Sequence, residues 1–115
     1  MRIGADYYPE HWEKERWKTD AELMVKANIK VIRIGEFAWS LYEPEEGKYE
    51  FDWMDEALDF FGKYGIKVVM CTPSATPPKW MIDKYPDILQ NDIHGNPKLF
   101  GTRKHYCFNS ETYRE

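Results

Sequence analysis

Three short runs of β-branched and apolar residues, separated by two stretches of helical periodicity, restrict the fold of this 115-residue chain more than any other feature. The runs predict strands at Arg2–Ala5, Ile29–Ile34 and Ile66–Met70. Between the first two, Glu13–Ala27 places its apolar positions on one helical face, and a second helix is expected from an N-cap at Asp52. The order β-α-β-α-β indicates parallel strands joined by helical crossovers.

Turn and cap residues divide the rest of the chain. Asn28 is expected to end the first helix, and Glu43–Gly47 predicts a turn by its proline and glycine. After the third strand, a proline-rich stretch holds one short helical candidate at Lys79–Lys84. Ser110 is expected to cap a helix that begins at Glu111. The chain therefore continues from the predicted sheet into a largely irregular segment.

The number of predicted strands sets the fold class. A parallel sheet is normally covered on both faces, and three strands cannot close a barrel. A (β/α)₈ barrel needs about 250 residues. We therefore predict an α/β fold that comprises the N-terminal three βα units of a (β/α)₈ TIM barrel, truncated. Residues 1–115 are expected to be one portion of that domain, with no second domain.

Charge and cysteine content exclude several classes of partner. The chain has 16 Lys and Arg against 20 Asp and Glu, a net charge of −4, which gives no reason to expect nucleic acid or an anionic membrane as a partner. No apolar run approaches the roughly 18 residues of a membrane span. The N-terminus reaches an acidic residue at Asp6 and has no apolar stretch of signal-peptide length. With only Cys71 and Cys107 as cysteines, we expect a reducing, cytoplasmic location.

Polar and aromatic side chains gather where each predicted strand ends. In a βα barrel, the loops at the carboxyl ends of the strands build the site. Carboxylates, an arginine and tryptophans at one rim suit a neutral polyhydroxylated ligand, because hydroxyls pair with charged groups and sugar faces stack on rings. The phosphate-binding motifs GxGxxG and GxxxxGK(S/T) are absent, which weakens a nucleotide interpretation. The strand-end residues are Asp6, Tyr7, Tyr8, Glu10, His11, Trp12, Arg33, Glu36, Phe37, Trp39, Thr72, Ser74, Thr76, Pro77, Pro78, Lys79 and Trp80.

Four aromatic-rich segments carry a family resemblance. They are YYPEHW (7–12), VIRIGEFAW (31–39), TPSATPPKW (72–80) and RKHYCF (103–108). In this order and without large gaps, they resemble the start of the glycoside hydrolase family 42 β-galactosidases. The resemblance covers essentially the whole chain. It implies that residues 1–115 are the N-terminal portion of a glycoside hydrolase (β/α)₈ catalytic domain.

The same resemblance implies an activity. Family members are retaining β-galactosidases of carbohydrate catabolism that hydrolyse terminal non-reducing β-D-galactose residues in β-galactosides, usually as homotrimers. Retaining hydrolysis needs two carboxyl groups about 5–5.5 Å apart. In the family these are glutamates of strands four and seven, the first within an Asn-Glu pair. No Asn-Glu dipeptide occurs here, so we expect no catalytic residue in this chain and no activity from it alone.

Four residues are predicted site residues. By resemblance, Arg33 matches the arginine that holds the nucleophile ionised and oriented, and Arg103 matches a substrate-contacting arginine. Glu36, at a strand end, is expected to contact substrate or to support a residue that does. Cys107 matches the first of four cysteines that bind zinc in many members. Because a structural zinc needs four ligands and the other three lie downstream, the zinc site would be incomplete here.

Each of these assignments has a structural alternative. Arg33 could pair with Glu36 or Glu10 within the sheet, which would make Glu36 part of a structural ion pair. His11 and His105 are expected to make structural hydrogen bonds and not to bind metal, because neither has a second ligand at a suitable spacing. Three tryptophans could fill a core or contact sugar: Trp12, Trp39 and Trp80.

Two other functions stay open. Another retaining glycosidase of the same clan could act on a different β-linked sugar, because the loops after strands two and three help to select the substrate. A non-catalytic sugar-binding module would fit the aromatic rim and the missing glutamates. Against the module, an open parallel sheet would expose a large apolar face in an isolated protein.

Overall fold

The structure, a computed structural model, describes residues 3–101, 103 and 105–114. In chain order the elements are β1 (Ile3–Asp6), a 3₁₀ turn (Pro9–His11), α1 (Lys14–Lys26), β2 (Ile29–Ile34), α2 (Trp39–Tyr42), α3 (Asp52–Lys63), β3 (Lys67–Met70), α4 (Lys79–Lys84), a second 3₁₀ turn (Pro86–Ile88) and α5 (Glu111–Arg114). Within the described ranges, no helix is long and apolar enough to cross a membrane. The chain divides into two compact units, called here the sheet unit (3–36 and 51–72) and the loop unit (37–50 and the described residues of 73–114).

The sheet unit is built on a three-stranded parallel sheet in the order β1-β2-β3, as predicted. At the carboxyl end of the ladder, Asp6 pairs with Arg33, and Arg33 pairs with Val69. The side chains of Ile32 and Ile34 on the central strand are fully buried. Since side chains alternate between faces, Arg33 and Val69 lie on the opposite face, where Val69 is 51% exposed. The helices therefore bury one face of this sheet better than the other.

Two amphipathic helices supply the core of the sheet unit. α1 packs against β2 and buries Trp17, Ala21 and Met24, as its periodicity predicts. α3 packs against β3 and buries Phe61, whose ring lies 5.3 Å from that of Tyr7 in an edge-to-face contact. These contacts orient both helices on the strands, so the strand ends are held in fixed positions.

Of the two predicted helix boundaries, the stop at Asn28 is observed and the N-cap at Asp52 is displaced by one residue. Asn28 adopts a left-handed conformation (φ 59°) directly after α1, which confirms it as the stop. Asp52 was expected as an N-cap, but it is the first residue of α3, and Phe51 holds the cap position. The reason is that the Phe51 carbonyl already accepts the amides of Met54 and Asp55. Asp52 therefore contributes a negative charge to the first turn, where the helix dipole favours it.

The strand boundaries differ from the sequence prediction by one residue. β1 extends to Asp6, and Arg2, where the prediction began, lies outside the described residues. β3 begins at Lys67 and not at Ile66. Ile66 donates its amide to the Phe61 carbonyl at 3.2 Å, so its backbone completes the exit from α3. The extension to Asp6 places a carboxylate at the very end of the first strand.

The loop unit is held by short elements and polar side chains. α4 matches the predicted range, and Ser110 caps α5 by accepting the Tyr113 amide at 3.3 Å. α2 was not predicted, because a helix of four residues is too short to show a helical periodicity in the sequence. Glu43 is 7% exposed, and its carboxylate accepts hydrogen bonds from the Trp39 indole and the Gly47 amide at 2.9 and 2.8 Å.

Candidate functional site

The carboxyl ends of β1 and β2 bring an arginine between two carboxylates. Arg33 Nε lies 3.1 Å from Asp6 Oδ1, and Arg33 Nη2 donates to Glu36 Oε2. The side chains of Arg33, Asp6 and Glu36 are 42%, 57% and 21% exposed, so the cluster is reachable from solvent. A recess of about 300 Å³, lined by Gly4, Ala5, Asp6, Val31 and Arg33, opens beside it. We call Asp6, Tyr8, Arg33 and Glu36 the strand-end cluster.

Glu36 reaches the cluster because the chain turns immediately after β2. Gly35 takes a positive φ of 81°, a conformation that glycine adopts without the steric cost of a Cβ. The Tyr8 hydroxyl donates to Glu36 Oε2 at 3.4 Å, and the Tyr8 ring stacks on His11 with centroids 5.2 Å apart. One carboxylate oxygen of Glu36 therefore receives two donors.

The charges of the cluster reinforce one another. The hydrogen bond to Glu36, followed by the charge of Asp6, raises the pKa of the Arg33 guanidinium above its ordinary value. Partial burial and the nearby Glu36 carboxylate raise the pKa of Tyr8, which keeps its hydroxyl protonated as a donor. With one guanidinium and two carboxylates, the side chains of the cluster carry a net charge of −1 when ionised.

The unused atoms of the cluster define what it can bind. Within the described part of the chain, Arg33 Nη1 and Glu36 Oε1 have no hydrogen-bond partner. The cluster thus keeps one unused donor group and one unused acceptor atom. Such a pair matches neighbouring hydroxyls of a sugar, which can both donate and accept, and Nη1 also suits a carboxylate.

The structure shows which carboxylates pair with Arg33. Arg33 and Glu36 do form an ion pair, and Asp6 is the other charged partner of Arg33, so the predicted alternative pairing with Glu10 is not observed among the described residues. The pair is nevertheless partly exposed at the carboxyl end of a parallel sheet, where α/β folds place their sites. An ion pair and a binding role are therefore compatible here.

Arg103 belongs to the loop unit and is exposed. Its guanidinium carbon lies 4.5 Å from the centroid of the Phe37 ring, a cation–π contact. Phe37 also lines a cavity of about 400 Å³, together with Ser40, Thr76, Pro77, Pro78, Lys79, Phe100, Gly101 and His105. The arginine thus stands beside a concave surface with aromatic walls and hydroxyl groups.

Cys107 was predicted as a zinc ligand. It is a half-buried free cysteine whose amide donates to the Ile88 carbonyl at 2.7 Å. Among the described residues, no three His, Cys, Asp or Glu side chains come together in a group that could hold a metal ion. These residues alone do not fit a four-ligand zinc site. The two histidines considered as ligands are in ring contacts, His11 with Tyr8 and His105 with Tyr106.

Two members of the strand-end cluster were not assigned a role from the sequence. Asp6 and Tyr8 were recognised only as strand-end residues. The signal that could have selected them is position: Asp6 is the parallel-register partner of Arg33, and Tyr8 follows two residues later. Among the tryptophans, Trp39 and Trp80 bond to the side chain and the carbonyl of Glu43, which supports a structural role. Trp12 is half exposed, and Arg16 lies over its ring.

Parallel strands with alternating helices and a charged cluster at the strand ends define an α/β protein of the kind that binds its ligand at the carboxyl edge of the sheet. The chain belongs to glycoside hydrolase family 42, because residues 6–115 match the family profile described as beta-galactosidase.

Named relatives and solved structures agree with this membership. The chain is 56% identical over 113 residues to a beta-galactosidase of Thermus thermophilus and 52% identical over 114 residues to beta-galactosidase BgaH of Haloferax lucentense. These matches cover 98% and 99% of the chain. The polyextremophilic beta-galactosidase of Halorubrum lacusprofundi has a TM-score of 0.93 at 47% identity over 99% of the chain.

The beta-galactosidase of Bacillus circulans sp. alkalophilus reaches a TM-score of 0.95 at 35% identity, also over 99% of the chain. The parallel α/β arrangement therefore matches one part of these larger structures. The chain spans only 17–18% of the length of the two curated relatives and 17% of each of the two structures.

Proposed function

We propose that this chain is the N-terminal portion of the catalytic barrel of a retaining β-galactosidase, which hydrolyses terminal non-reducing β-D-galactose residues in β-galactosides. The observation that carries the proposal is the Arg33–Glu36 pair, which presents a donor and an acceptor at the carboxyl edge of a parallel sheet. Family membership over residues 6–115 supports the substrate class.

The poorly covered face of the sheet supports a closed barrel. Val69 on β3, the register partner of Arg33, is 51% exposed. In a (β/α)₈ barrel the inward face of the strands is filled by side chains from the other strands, which would bury the face that carries Arg33 and Val69. Residues 1–115 would then supply three of its βα units, as part of one catalytic domain.

Within such a barrel, each predicted site residue has a physical role. Arg33 Nη1 would donate to the nucleophilic carboxylate and keep it ionised, and Glu36 Oε1 would accept a sugar hydroxyl. Arg103, in contact with the Phe37 ring, would donate to a second hydroxyl. The two catalytic glutamates would lie outside this chain, which has no Asn-Glu dipeptide, so the isolated chain would be inactive.

Zinc, assembly and location are further parts of the proposal. Cys107 would supply one thiolate of a structural zinc site, with the remaining ligands from outside the described residues, because those residues hold no metal-binding group. Zinc would supply only structural stabilisation. The full-length protein would be a cytoplasmic homotrimer with an oligosaccharide substrate, and the net charge of −4 argues against nucleic-acid or anionic-membrane partners.

Replacement of the matching segment of a relative tests the proposal. The hybrid enzyme is the beta-galactosidase of Halorubrum lacusprofundi in which residues 1–115 of this chain replace the matching first part. The two sequences are 48% identical over all 115 residues. We expect the hybrid enzyme to hydrolyse nitrophenyl β-D-galactoside and Arg33→Ala or Arg103→Ala to reduce kcat/KM by about 100-fold. Asp59→Asn, on the exposed side of α3, is the control with unchanged kcat/KM.

The alternatives give different results in the same assay. A hybrid that prefers a different β-linked sugar would favour the clan-related glycosidase. A folded hybrid without hydrolysis, combined with galactose binding by the isolated chain, would favour the sugar-binding module. Turnover by the isolated 115-residue chain would contradict the placement of both catalytic glutamates outside it.

A further inference from the structure

We propose that Asp6 and Tyr8 are positioning residues, which keep the Arg33–Glu36 ion pair in the orientation with a single hydrogen bond, so that one donor and one acceptor remain for the sugar. The inference rests on the proposed function for the identity of the ligand. Its geometric part concerns only side chains of the sheet unit. Neither residue is required to touch the substrate.

Asp6 controls the Nε edge of Arg33. The two residues are partners in the parallel ladder, and the amide of Tyr7 donates to the Arg33 carbonyl at 2.9 Å directly after that pair. The backbones that carry the two side chains are therefore tied together. With Oδ1 at 3.1 Å from Nε, the carboxylate of Asp6 occupies the edge of the guanidinium that leads back to the side-chain stem.

Tyr8 controls one oxygen of Glu36. Its hydroxyl reaches Oε2, the oxygen that also accepts from Arg33 Nη2, and Oε1 is left for another donor. The ring of Tyr8 is held by stacking on His11, and the preceding Tyr7 is anchored by its hydroxyl to Asp20 Oδ2 at 2.9 Å. The hydroxyl of Tyr8 therefore comes from a ring that His11 stacks on and from a segment that Tyr7 anchors.

The competing arrangement explains why two positioning groups are needed. A guanidinium and a carboxylate prefer a bidentate pair with two parallel hydrogen bonds. If Arg33 rotated into such a pair, Glu36 would lose its free oxygen and Arg33 would lose its free donor. Asp6 opposes the rotation by holding the guanidinium through its ion pair at Nε, and Tyr8 opposes it by holding the carboxylate through Oε2, so that Oε1 does not turn towards Nη1. Without Asp6, the single cation would face only Glu36, and the pair would close on itself.

The first test measures the position of Arg33 without reference to activity. In the ¹⁵N-labelled 115-residue chain, the Nε–H resonance of Arg33, assigned with Arg33→Lys, is expected to be sharp and to exchange slowly because Nε lies 3.1 Å from the Asp6 carboxylate in an ion pair. Asp6→Ala should broaden or remove that resonance, and Asp59→Asn should leave it unchanged. An unchanged Arg33 resonance in Asp6→Ala would overturn the inference.

The second test uses the hybrid enzyme. Because Arg33 and Glu36 would close on each other, Asp6→Ala is expected to raise KM for the galactoside and the inhibition constant of free galactose by about tenfold, and Tyr8→Phe by roughly threefold. Asp6→Glu, which keeps the charge, should recover part of the loss. A merely structural defect would lower the active fraction, and hence kcat, with KM unchanged, and that result would contradict a positioning role.

The two tests also separate this inference from the proposed function. If the unsubstituted hybrid folds but hydrolyses no galactoside, the proposed function fails, and the Arg33 resonance still decides whether Asp6 holds the guanidinium. If the hybrid is active and Asp6→Ala binds galactose as tightly as the parent, the proposed function stands and the positioning role is wrong.

Discussion

The sheet unit and the loop unit organise their backbones differently. In the sheet unit, apolar side chains of two helices pack on the central strand, and Ile32, Ile34 and Phe61 are fully buried. In the loop unit, a buried carboxylate organises the backbone, since Glu43 accepts from the Trp39 indole and the Gly47 amide, and its carbonyl accepts from Trp80. Both units bury apolar side chains, and in the loop unit, where Ile88 and Tyr106 are buried, hydrogen bonds to Glu43 add to that burial.

This difference bears on how each unit presents its predicted site residues. Arg33 lies at the end of a strand, where pairing with Asp6 in the parallel ladder fixes the position of its backbone. Arg103 lies in an irregular segment, where its guanidinium contacts an aromatic ring. A rigid ladder and a cation–π contact can both orient an arginine, but only the first follows from regular secondary structure.

The largest effect is expected in the apolar core of the sheet unit. Phe61→Ala removes a fully buried ring that contacts Tyr7 and Trp17, and it should lower the free energy of unfolding by about 3–5 kcal/mol. Urea denaturation of the 115-residue chain measures the change. Ile93→Ala, at a position 95% exposed in the loop unit, is the control and should change the free energy by less than about 0.5 kcal/mol. A loss below about 1 kcal/mol for Phe61→Ala would contradict burial as the main source of stability.

The next effect concerns the polar centre of the loop unit. Glu43→Gln keeps the size of the side chain but replaces one acceptor oxygen with a donor, so either the Trp39 indole or the Gly47 amide loses its partner. We expect a loss of about 1–3 kcal/mol in the free energy of unfolding. The exposed Glu50→Gln serves as the matched control. Equal stability of Glu43→Gln and the parent chain would remove the proposed difference between the units.

A smaller effect is expected at alkaline pH, and here the units should behave alike. Burial raises the pKa of Tyr7 and of Tyr113 above the ordinary value of about 10. Because the folded state favours the neutral phenol, its stabilisation is complete below that pH and is lost as pH rises through the folded-state values. Tyr7→Phe and Tyr113→Phe should each flatten the loss of stability between about pH 9 and pH 12. A loss that is unchanged in both variants would contradict the cause.

The smallest effect is expected at acid pH in the loop unit. Asp92 accepts the amides of Asn96 and His94 at 2.9 and 2.8 Å, and these hydrogen bonds lower the pKa of its carboxyl group. The stabilisation is present above the unfolded value of about 3.9 and is lost as pH falls through the lower folded value. Asp92→Asn should therefore lose less stability than the parent between about pH 5 and pH 2, as measured by urea midpoints. An identical acid dependence would show that another carboxylate is responsible.

The sheet unit was predictable to within one residue at most boundaries because its signals are local. Runs such as Ile29–Ile34 and a helical face such as that of α1 repeat at the period of the structure they form, so a pattern read along the chain is sufficient. The displaced cap at Asp52 shows the limit, since a phenylalanine carbonyl replaced the expected side-chain cap. In the same turn, Trp53 is half-buried, whereas the adjacent Met54 is buried.

The sequence by itself determined the order of strands and helices, the edge at which polar residues would gather and, through four motifs, the family. Only the tertiary structure decided which of those polar residues meet. Asp6, Tyr8, Arg33 and Glu36 come together because the parallel register aligns β1 with β2 and Gly35 turns the chain back. The distinction is physical: secondary structure depends on neighbours along the chain, whereas a site depends on the register between strands that are more than twenty residues apart.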